Sequence, residues 1–489
     1  MSYIRFSNVK RHMVHKFKYL TPLLLVLVNL LLKLLFISST SIGGDEPFSI
    51  YHAQMNISSI INQLTTGNNP PLYEILLHYW ISIFGISEFW VRVPSVIFSS
   101  LTVLFIYKIG KKCISYEVGL IASLLFTFSN FNLLLAHEAR VYSLFAFFTT
   151  ASMYYFLMII KQSDNTKNFI KLLTVNLFVI YLHYFGLFII IIQSIICLFS
   201  NNIRRLILKK YLLYALLLFL LYIPNIRVLI VRFYDSSVHG TWVSTPNGIA
   251  SLYGMIRTFA NQPLNTIVCL FLFLSSIILY AIKRKKEEAT LKNIILLWFL
   301  FPYFFMFIIS YWIPMFLDRY LLFISSAFYL LIAFLSVSFF TQKKYNYIVP
   351  SIIIVLFIVT FNPNMTNKRN VRETIAKTIE LKNDSTKVIV SPITFIPNFV
   401  YYFDKKIFKD VDCVNVYNKI IKNLTLNNIY ALNSMDTNLY SAKKIIFVDA
   451  ACSFGGIDNN IFNSLNGKYK LKNTYKYYEI FNVFEFERP

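Results

Sequence analysis

The chain has 489 residues, of which 56% are hydrophobic and 18% aromatic, while only 14% carry a charge. A water-soluble domain normally has about a quarter of its residues charged, so this composition excludes a soluble globule and predicts a polytopic membrane protein. The net charge of +24 does not indicate a nucleic acid partner. The basic residues fall mostly in short segments between apolar stretches, where they lie beside anionic lipid headgroups.

About eleven apolar stretches have the length of a membrane crossing or fall slightly short of it. They cover residues 20–36, 91–109, 118–135, 141–160, 169–182, 185–199, 211–229, 264–282, 294–312, 320–340 and 347–361. The run from 169 to 199 is too long for one crossing, so the interruption at His183-Tyr184 predicts two helices joined by a turn. The basic N-terminus lacks a small-residue cleavage site, which predicts that the first helix is not removed.

Lysine and arginine cluster on one side of this eleven-helix arrangement, and short loops rich in these residues stay in the cytoplasm. The clusters lie before residue 20 and at residues 108–112, 161–167, 204–210, 283–286 and 343–344. We therefore expect an integral protein of the cell membrane. Asp45, Glu46 and everything after residue 361 should face outside, or the periplasm.

Polar residues dominate from residue 362 to 489. β-rich runs at residues 387–390, 444–448 and 477–486 alternate with helix-compatible stretches at 371–381 and 417–424, which is typical of a small α/β domain. The prediction is thus a membrane domain of residues 1–361 and an extracytoplasmic α/β domain of residues 362–489. Cys413 and Cys452 share the second domain, where a disulfide is permitted, but their spacing does not decide whether they pair.

An acidic pair, Asp45-Glu46, follows the first apolar stretch directly and comes after Gly43-Gly44, which let the backbone bend. Paired carboxylates at a membrane surface suggest acid–base chemistry. A connecting loop also carries solvated charge for no catalytic reason, so the pair by itself leaves both readings open.

Further polar residues occupy the outer ends of other predicted helices, where they are costly unless they face a cavity or each other. They are Lys33, Asn69, Tyr73, Arg92, Glu138, Arg140, Tyr142, His183, Tyr184, Arg319 and Tyr320. The side chain of a single arginine or lysine at a helix end most often extends to the lipid headgroups. His183, taken alone, is equally well explained as a buried core histidine. Together, these side chains predict a pocket for an anionic, lipid-linked ligand, with acids that handle a proton or a metal ion.

The membrane part of the chain, residues 20–361, resembles the GT-C glycosyltransferase superfamily. It is most similar to the branch that contains protein O-mannosyltransferases and the bacterial transferase that adds aminoarabinose to lipid A. The resemblance rests on the order and common side of six motifs: Asp-Glu at 45–46, Asn-Pro-Pro-Leu-Tyr at 69–73, Arg-Val-Pro-Ser at 92–95, Glu-Ala-Arg-Val-Tyr at 138–142, His-Tyr-Phe at 183–185 and Arg-Tyr-Leu-Leu at 319–322.

The resemblance implies a glycosyltransferase that moves a sugar from a polyprenyl-phosphate carrier to a lipid, glycan or protein acceptor outside the membrane, with inversion at the sugar. Family members often end in a small outer α/β domain. The resemblance makes Asp45 the acid that serves as base or metal contact and Glu138 its acidic partner. With Glu46, these are the candidate catalytic residues. A divalent metal ion between Asp45 and Glu138 is a weaker expectation, since the sequence shows no metal-ligand spacing.

The other outer residues are the candidate substrate-binding set, and the resemblance assigns the carrier phosphate to Arg140, Tyr142 and Arg319. One position departs from the family pattern. Relatives often have His or Lys before the paired prolines, where this chain has Asn69. Lys33 or Arg319 is then expected to supply the missing positive charge.

Two alternatives come from other functional classes. A lipid-linked glycan flippase or transporter also gathers charges in a cavity, but it should have polar or broken helices near the bilayer midplane. A non-enzymatic membrane assembly protein needs none of the outer acids.

Overall fold

The computed structural model describes residues 20–64, 69–162, 165–282, 289–340, 342–364, 370–409, 416–450, 460–478 and 481–489. Cys413 and Cys452, whose pairing the sequence leaves open, lie outside the described residues.

The part of the chain before residue 362 is helical. Its helices are α1 (Leu20–Leu35), α2 (Glu46–Ala53), α3 (Ile57–Leu64), α4 (Leu72–Phe84), α5 (Glu88–Cys113), α6 (Tyr116–Thr127), α7 (Asn130–Ala136), α8 (Tyr142–Lys161), α9 (Thr166–Leu182), α10 (Gly186–Phe199), α11 (Asn201–Val238), α12 (Gly248–Phe259), α13 (Pro263–Ile282), α14 (Ala289–Ile309), α15 (Ser325–Val337) and α16 (Ile348–Thr360). A 3-10 helix, Asp318–Ile324, leads directly into α15, and a short one, Lys343–Tyr345, precedes α16.

Among the described residues, five helical units are long and apolar enough to cross a bilayer, and the number rises to seven if each of two bent helix pairs counts as one span. Shorter apolar helices include α1, α4, α10 and α16. A mostly helical, polytopic membrane fold is therefore confirmed. The span count of eleven stays a prediction. The interruption at His183-Tyr184 does separate two helices, α9 and α10, as expected.

The predicted single stretch of residues 118–135 is two helices, because α6 and α7 meet at an angle of 61°. Ser129 explains the break: its hydroxyl accepts a hydrogen bond from the Asn132 backbone N–H, which caps the start of α7. Tyr329 of α15 donates a hydrogen bond to the same hydroxyl over 2.7 Å. The break sends the chain into the loop that carries Glu138 and Arg140.

The part after residue 361 contains a five-stranded sheet, as the α/β prediction requires. Its strands are β1 (Thr386–Ser391), β2 (Ile429–Ala431), β3 (Lys444–Ala450), β4 (Lys470–Tyr478) and β5 (Phe481–Glu487), in the order β2-β1-β3-β5-β4. β1 is parallel to β2 and β3, whereas β5 is antiparallel to β3 and β4. Its helices are α17 (Val371–Leu381), α18 (Ile396–Phe403), α19 (Lys405–Lys409), α20 (Val416–Leu426) and α21 (Asn460–Asn466).

The C-terminal domain packs against the membrane part through a common apolar core. Tyr51 of α2 contacts Phe408 of α19 edge to face, with ring centres 5.6 Å apart. Tyr401 of α18 meets the same phenylalanine and donates a hydrogen bond to the Ile86 carbonyl over 2.7 Å. These contacts bring α18 beside the loop that carries Asp45. The division at residue 361 stays a prediction.

Candidate active site

A cavity of about 320 Å³ lies where the start of α2, the loop before α8 and the 3-10 helix Asp318–Ile324 meet α18. Its size is at the lower end of the range for small-molecule sites. Six residues predicted from the sequence line it: Asp45, Asn69, Arg140, Tyr142, Arg319 and Tyr320. Four separate segments of the chain therefore bring predicted site residues to one place.

Asp45 lies at the N-terminus of α2, and its side chain is 48% exposed. Arg319 donates a hydrogen bond from Nη1 to Asp45 Oδ2 over 2.8 Å, across 274 residues of sequence. The carboxylate therefore faces the cavity beside a guanidinium group that is only 18% exposed. This places an accessible base next to a fixed positive charge.

Arg140 is buried, and its Nη1 donates to Ser49 Oγ over 2.6 Å. The same hydroxyl donates to Glu74 Oε1 over 2.7 Å. Burial alone would lower the pKa of Arg140, but Tyr142, Asp45 and Glu74 nearby raise it, so the guanidinium stays charged. Its Nε has no hydrogen-bond partner among the described residues. A charged guanidinium group with one unpaired donor therefore lies at the cavity wall.

Arg319 is held on its other side by Trp242, in the loop between α11 and α12. The guanidinium carbon lies 5.0 Å from the centre of the indole ring, a cation–π contact. The loop is fixed because Thr241 Oγ1 donates to the Pro314 carbonyl over 2.6 Å. Trp242 nevertheless remains 59% exposed, an unusual state for so large an aromatic side chain.

A second cavity of about 360 Å³ adjoins the first and shares Asn69, Trp242 and Tyr320 with it. Its walls are largely apolar and include Phe185, Leu229, Phe233, Val243, Ile313 and Met315. The charged cavity and the largely apolar one are thus neighbours that share part of their walls.

His183 and Tyr184 belong to this second cavity rather than to the charged one. Burial, and then the charge of Arg140, lowers the pKa of His183 to about 3, so its imidazole is neutral. Nδ1 accepts a hydrogen bond from the Phe185 N–H over 3.2 Å, which leaves the proton on Nε2. Within the described part of the chain, neither His183 Nε2 nor the Tyr184 hydroxyl has a partner.

Glu46 and Arg92 are not on the cavity walls but pair with each other in the interior. Arg92 donates from Nε and Nη2 to the two Glu46 carboxylate oxygens, each over 2.8 Å. Glu46 also accepts from the backbone N–H groups of Gly43 and Ala139. Both side chains are at most 1% exposed. The structure therefore places this pair in the framework that carries the loops.

Three other predicted residues also lie off the cavity walls: Lys33, Tyr73 and Glu138. Lys33 is buried in α1, where its Nζ donates to Ser99 Oγ over 2.6 Å. Tyr73 is buried in α4, and Glu138 is buried close enough to Arg319 to interact with its charge. Of the two cations expected to replace a basic residue at position 69, only Arg319 reaches the cavity.

Comparison with known proteins finds one matching family model and solved structures of similar fold. Residues 68–227 match the family model described as dolichyl-phosphate-mannose-protein mannosyltransferase. The structure of ArnT from Cupriavidus metallidurans bound to undecaprenyl phosphate matches with a TM-score of 0.57 and 10% identity, covering 95% of this chain and 97% of that one. Residues 68–227 therefore resemble this mannosyltransferase family, and the whole chain has an ArnT-like fold. No curated protein sequence matches it.

A second solved fold matches this chain over most of its length. It is the Archaeoglobus fulgidus oligosaccharyltransferase tethered to an acceptor peptide that contains the sequon NVT. The TM-score is 0.53 with 10% identity, and the match covers 97% of this chain and 74% of the other. At such low identity, both structural matches show a shared fold alone.

A metal ion between Asp45 and Glu138 stays a prediction. Among the described residues, no three His, Cys, Asp or Glu side chains are grouped so that they could hold a metal ion. Arg319 already donates to Asp45 Oδ2, the position that a cation would take. The chemistry proposed below uses no metal ion.

Sequence reasoning missed Glu74, Trp242 and Asn398, although all three line the charged cavity. Glu74 directly follows the Asn-Pro-Pro-Leu-Tyr motif, so the motif itself pointed to its neighbourhood. Trp242 carried a weaker signal, as a tryptophan in a polar segment between two apolar stretches. Asn398 offered none, because nothing in the sequence of the C-terminal domain relates it to residues 41–46.

Proposed function

We propose that this chain transfers a sugar from a polyprenyl-phosphate carrier to a lipid, glycan or protein acceptor on the outer face of the membrane. The observation that carries the proposal is the convergence of Arg140, Arg319 and Asp45 on one cavity that adjoins a largely apolar one. Two guanidinium groups suit a phosphate, the carboxylate suits the removal of a proton, and the apolar cavity suits the first prenyl units.

In the proposed reaction, an acceptor oxygen attacks the anomeric carbon of the sugar from the face opposite the phosphate. The bond between that carbon and the phosphate oxygen breaks, and its electron pair leaves with the polyprenyl phosphate. Arg140 and Arg319 stabilise the negative charge that grows on the phosphate. Asp45 takes the acceptor proton. Attack from the opposite face inverts the configuration.

The similarity to ArnT, whose structure was solved with undecaprenyl phosphate, supports this choice of carrier. The direct test uses the purified full chain in lipid nanodiscs, with undecaprenyl-phospho-mannose and undecaprenyl-phospho-glucose as donors and a membrane extract as the source of acceptor. Release of undecaprenyl phosphate together with a glycosylated product supports the proposal. Mass analysis of surface glycans and glycolipids, with and without the protein, then identifies the acceptor.

A flippase or transporter is the second candidate, because that class should have broken helices near the bilayer midplane and the described part of the chain has two bent helix pairs. One of these breaks, between α6 and α7, leads into the loop of Arg140 and so shapes the charged cavity. The two functions differ in one measurement. A transporter moves the intact lipid-linked sugar across a vesicle membrane without releasing undecaprenyl phosphate.

Replacing either cavity arginine with lysine is expected to weaken donor binding. Lysine keeps the charge but lacks the planar fork that binds two phosphate oxygens, so Arg140→Lys and Arg319→Lys should each lose about 1.5–3 kcal/mol of donor affinity. Donor titration of the purified variants measures this. Arg227→Lys is the matched control, since Arg227 is exposed on α11 and lines neither cavity. Unchanged donor dependence in both cavity variants would move the phosphate site elsewhere.

The orientation of the protein gives a separate expectation. Because the lysine and arginine clusters lie on one side of the predicted spans, a reporter fused after Lys286 should lie in the cytoplasm and one fused at Pro489 outside it. Alkaline phosphatase and green fluorescent protein fusions, each active on one side only, make the measurement. If both positions lie on the same side, the predicted span count is wrong by an odd number.

A further inference from the structure

The C-terminal domain holds the backbone of the segment that leads to Asp45. The Ile42 N–H donates to the Tyr402 hydroxyl over 2.6 Å, and Asn398 Nδ2 donates to the Gly44 carbonyl over 3.3 Å. Both partners belong to α18. Two of the three residues before Asp45 are thus fixed by side chains more than 350 positions later in the sequence.

This segment needs contacts from outside to fix its backbone, because Gly43 and Gly44 precede Asp45. Glycine has the greatest backbone freedom of any residue, and Gly44 adopts a φ of +58°, which other residues rarely reach. Gly43 is fixed from within the segment, since its N–H donates to Glu46 Oε2 over 3.1 Å. The residues on either side of it, Ile42 and Gly44, are hydrogen-bonded to side chains of the C-terminal domain.

Tyr402 is itself rigidly placed between the two parts of the chain. Its hydroxyl donates to Glu88 Oε1 over 2.7 Å, at the start of α5, and Arg372 pairs with the same carboxylate. Burial, and then the Glu88 charge, raises the pKa of Tyr402, so the hydroxyl keeps the proton that it donates. One hydroxyl thus links α5, α18 and the backbone of Ile42.

We propose that the C-terminal domain is a positioning element of the transfer site, in which Tyr402 and Asn398 hold residues 42–44 so that the Asp45 carboxylate stays against Arg319 in the charged cavity. The proposal rests on the function proposed above, because it needs Asp45 to act in the transfer. It gives the domain a part in the reaction itself. The domain also supplies cavity wall through Thr394, Pro397 and Asn398.

The test compares two tyrosine-to-phenylalanine variants of the full chain. Tyr402→Phe removes the hydroxyl that holds Ile42, and we expect kcat to fall at least about 10-fold, given that misplacing a reacting group by 1 Å can cost about 100-fold. Donor KM should stay within about twofold, because the phosphate is bound by the arginines. Tyr469→Phe is the matched control: its buried hydroxyl donates to the Tyr440 and Ala442 carbonyls in the same domain, away from Asp45. Its kcat should equal that of the wild type.

Asn398→Ala provides a second variant if Tyr402→Phe does not fold, and it should show the same fall in kcat. Wild-type kcat in a folded Tyr402→Phe or Asn398→Ala protein would overturn the inference. An equal loss in Tyr469→Phe would also overturn it, because the effect would then be general destabilisation. These outcomes are distinct from failure of the proposed function, in which the wild type itself releases no undecaprenyl phosphate.

Discussion

Asp45→Asn is expected to leave the fold intact and to lower turnover by about 100- to 10,000-fold, the usual contribution of a positioned general base. The amide has the same shape, and its oxygen can still accept the hydrogen bond from Arg319, but it cannot take a proton from the acceptor. Because Asp45 is half-exposed, the substitution leaves no buried group unpaired. Initial rates of undecaprenyl phosphate release, together with a thermal unfolding curve, measure both effects.

Asp436→Asn is the control for this experiment. Asp436 caps a 3-10 helix in the C-terminal domain, and asparagine caps helices equally well, so neither rate nor stability should change. A well-folded Asp45→Asn protein that transfers sugar at the wild-type rate would remove Asp45 from the mechanism.

Substitution of the neighbouring Glu46 should lower the stability of the fold, whereas substitution of Asp45 lowers turnover. Glu46→Gln is expected to destabilise the protein by about 3–5 kcal/mol, because Arg92 would be left with a buried, uncompensated charge. The glutamine NH₂ would also face donors at a position where Glu46 now accepts from Arg92, Gly43 and Ala139. The yield of monodisperse protein and its unfolding temperature in detergent measure the loss.

The fraction of Glu46→Gln protein that folds should have the same KM for the donor as the wild type, since the Glu46 side chain is not on the cavity wall. Unfolding at the wild-type temperature would contradict the structural role. A loss of turnover without a loss of stability would instead make Glu46 a catalytic residue. The variants Asp45→Asn and Glu46→Gln thus distinguish a residue needed for the reaction from one needed for stability.

The charged cavity is built by contacts between residues that are far apart in the sequence. Arg319 meets Asp45 across 274 residues and Arg140 meets Ser49 across 91. Hydropathy places the outer ends of helices on one surface of the membrane, which is a statement about depth in the bilayer. It says nothing about which helices are neighbours. The common side of these residues was therefore predictable, whereas their pairing was not.

The sequence by itself determined the membrane class, the α/β nature of the end of the chain, the turn at His183-Tyr184 and the order of motifs that resembles GT-C enzymes. These features depend on local composition and on spacing, which a sequence displays directly. Even the bounds of α17, residues 371–381, follow from its local pattern.

Only the tertiary structure decided that Asp45 faces the cavity while Glu46 turns inward to Arg92, that Lys33 ends on Ser99, and that α18 supports the acidic loop. Two carboxylates adjacent in sequence look alike until long-range packing assigns each a partner. A buried charge must be compensated by an opposite charge or by hydrogen bonds. The tertiary fold determines which residue does this, and that residue is distant in the sequence.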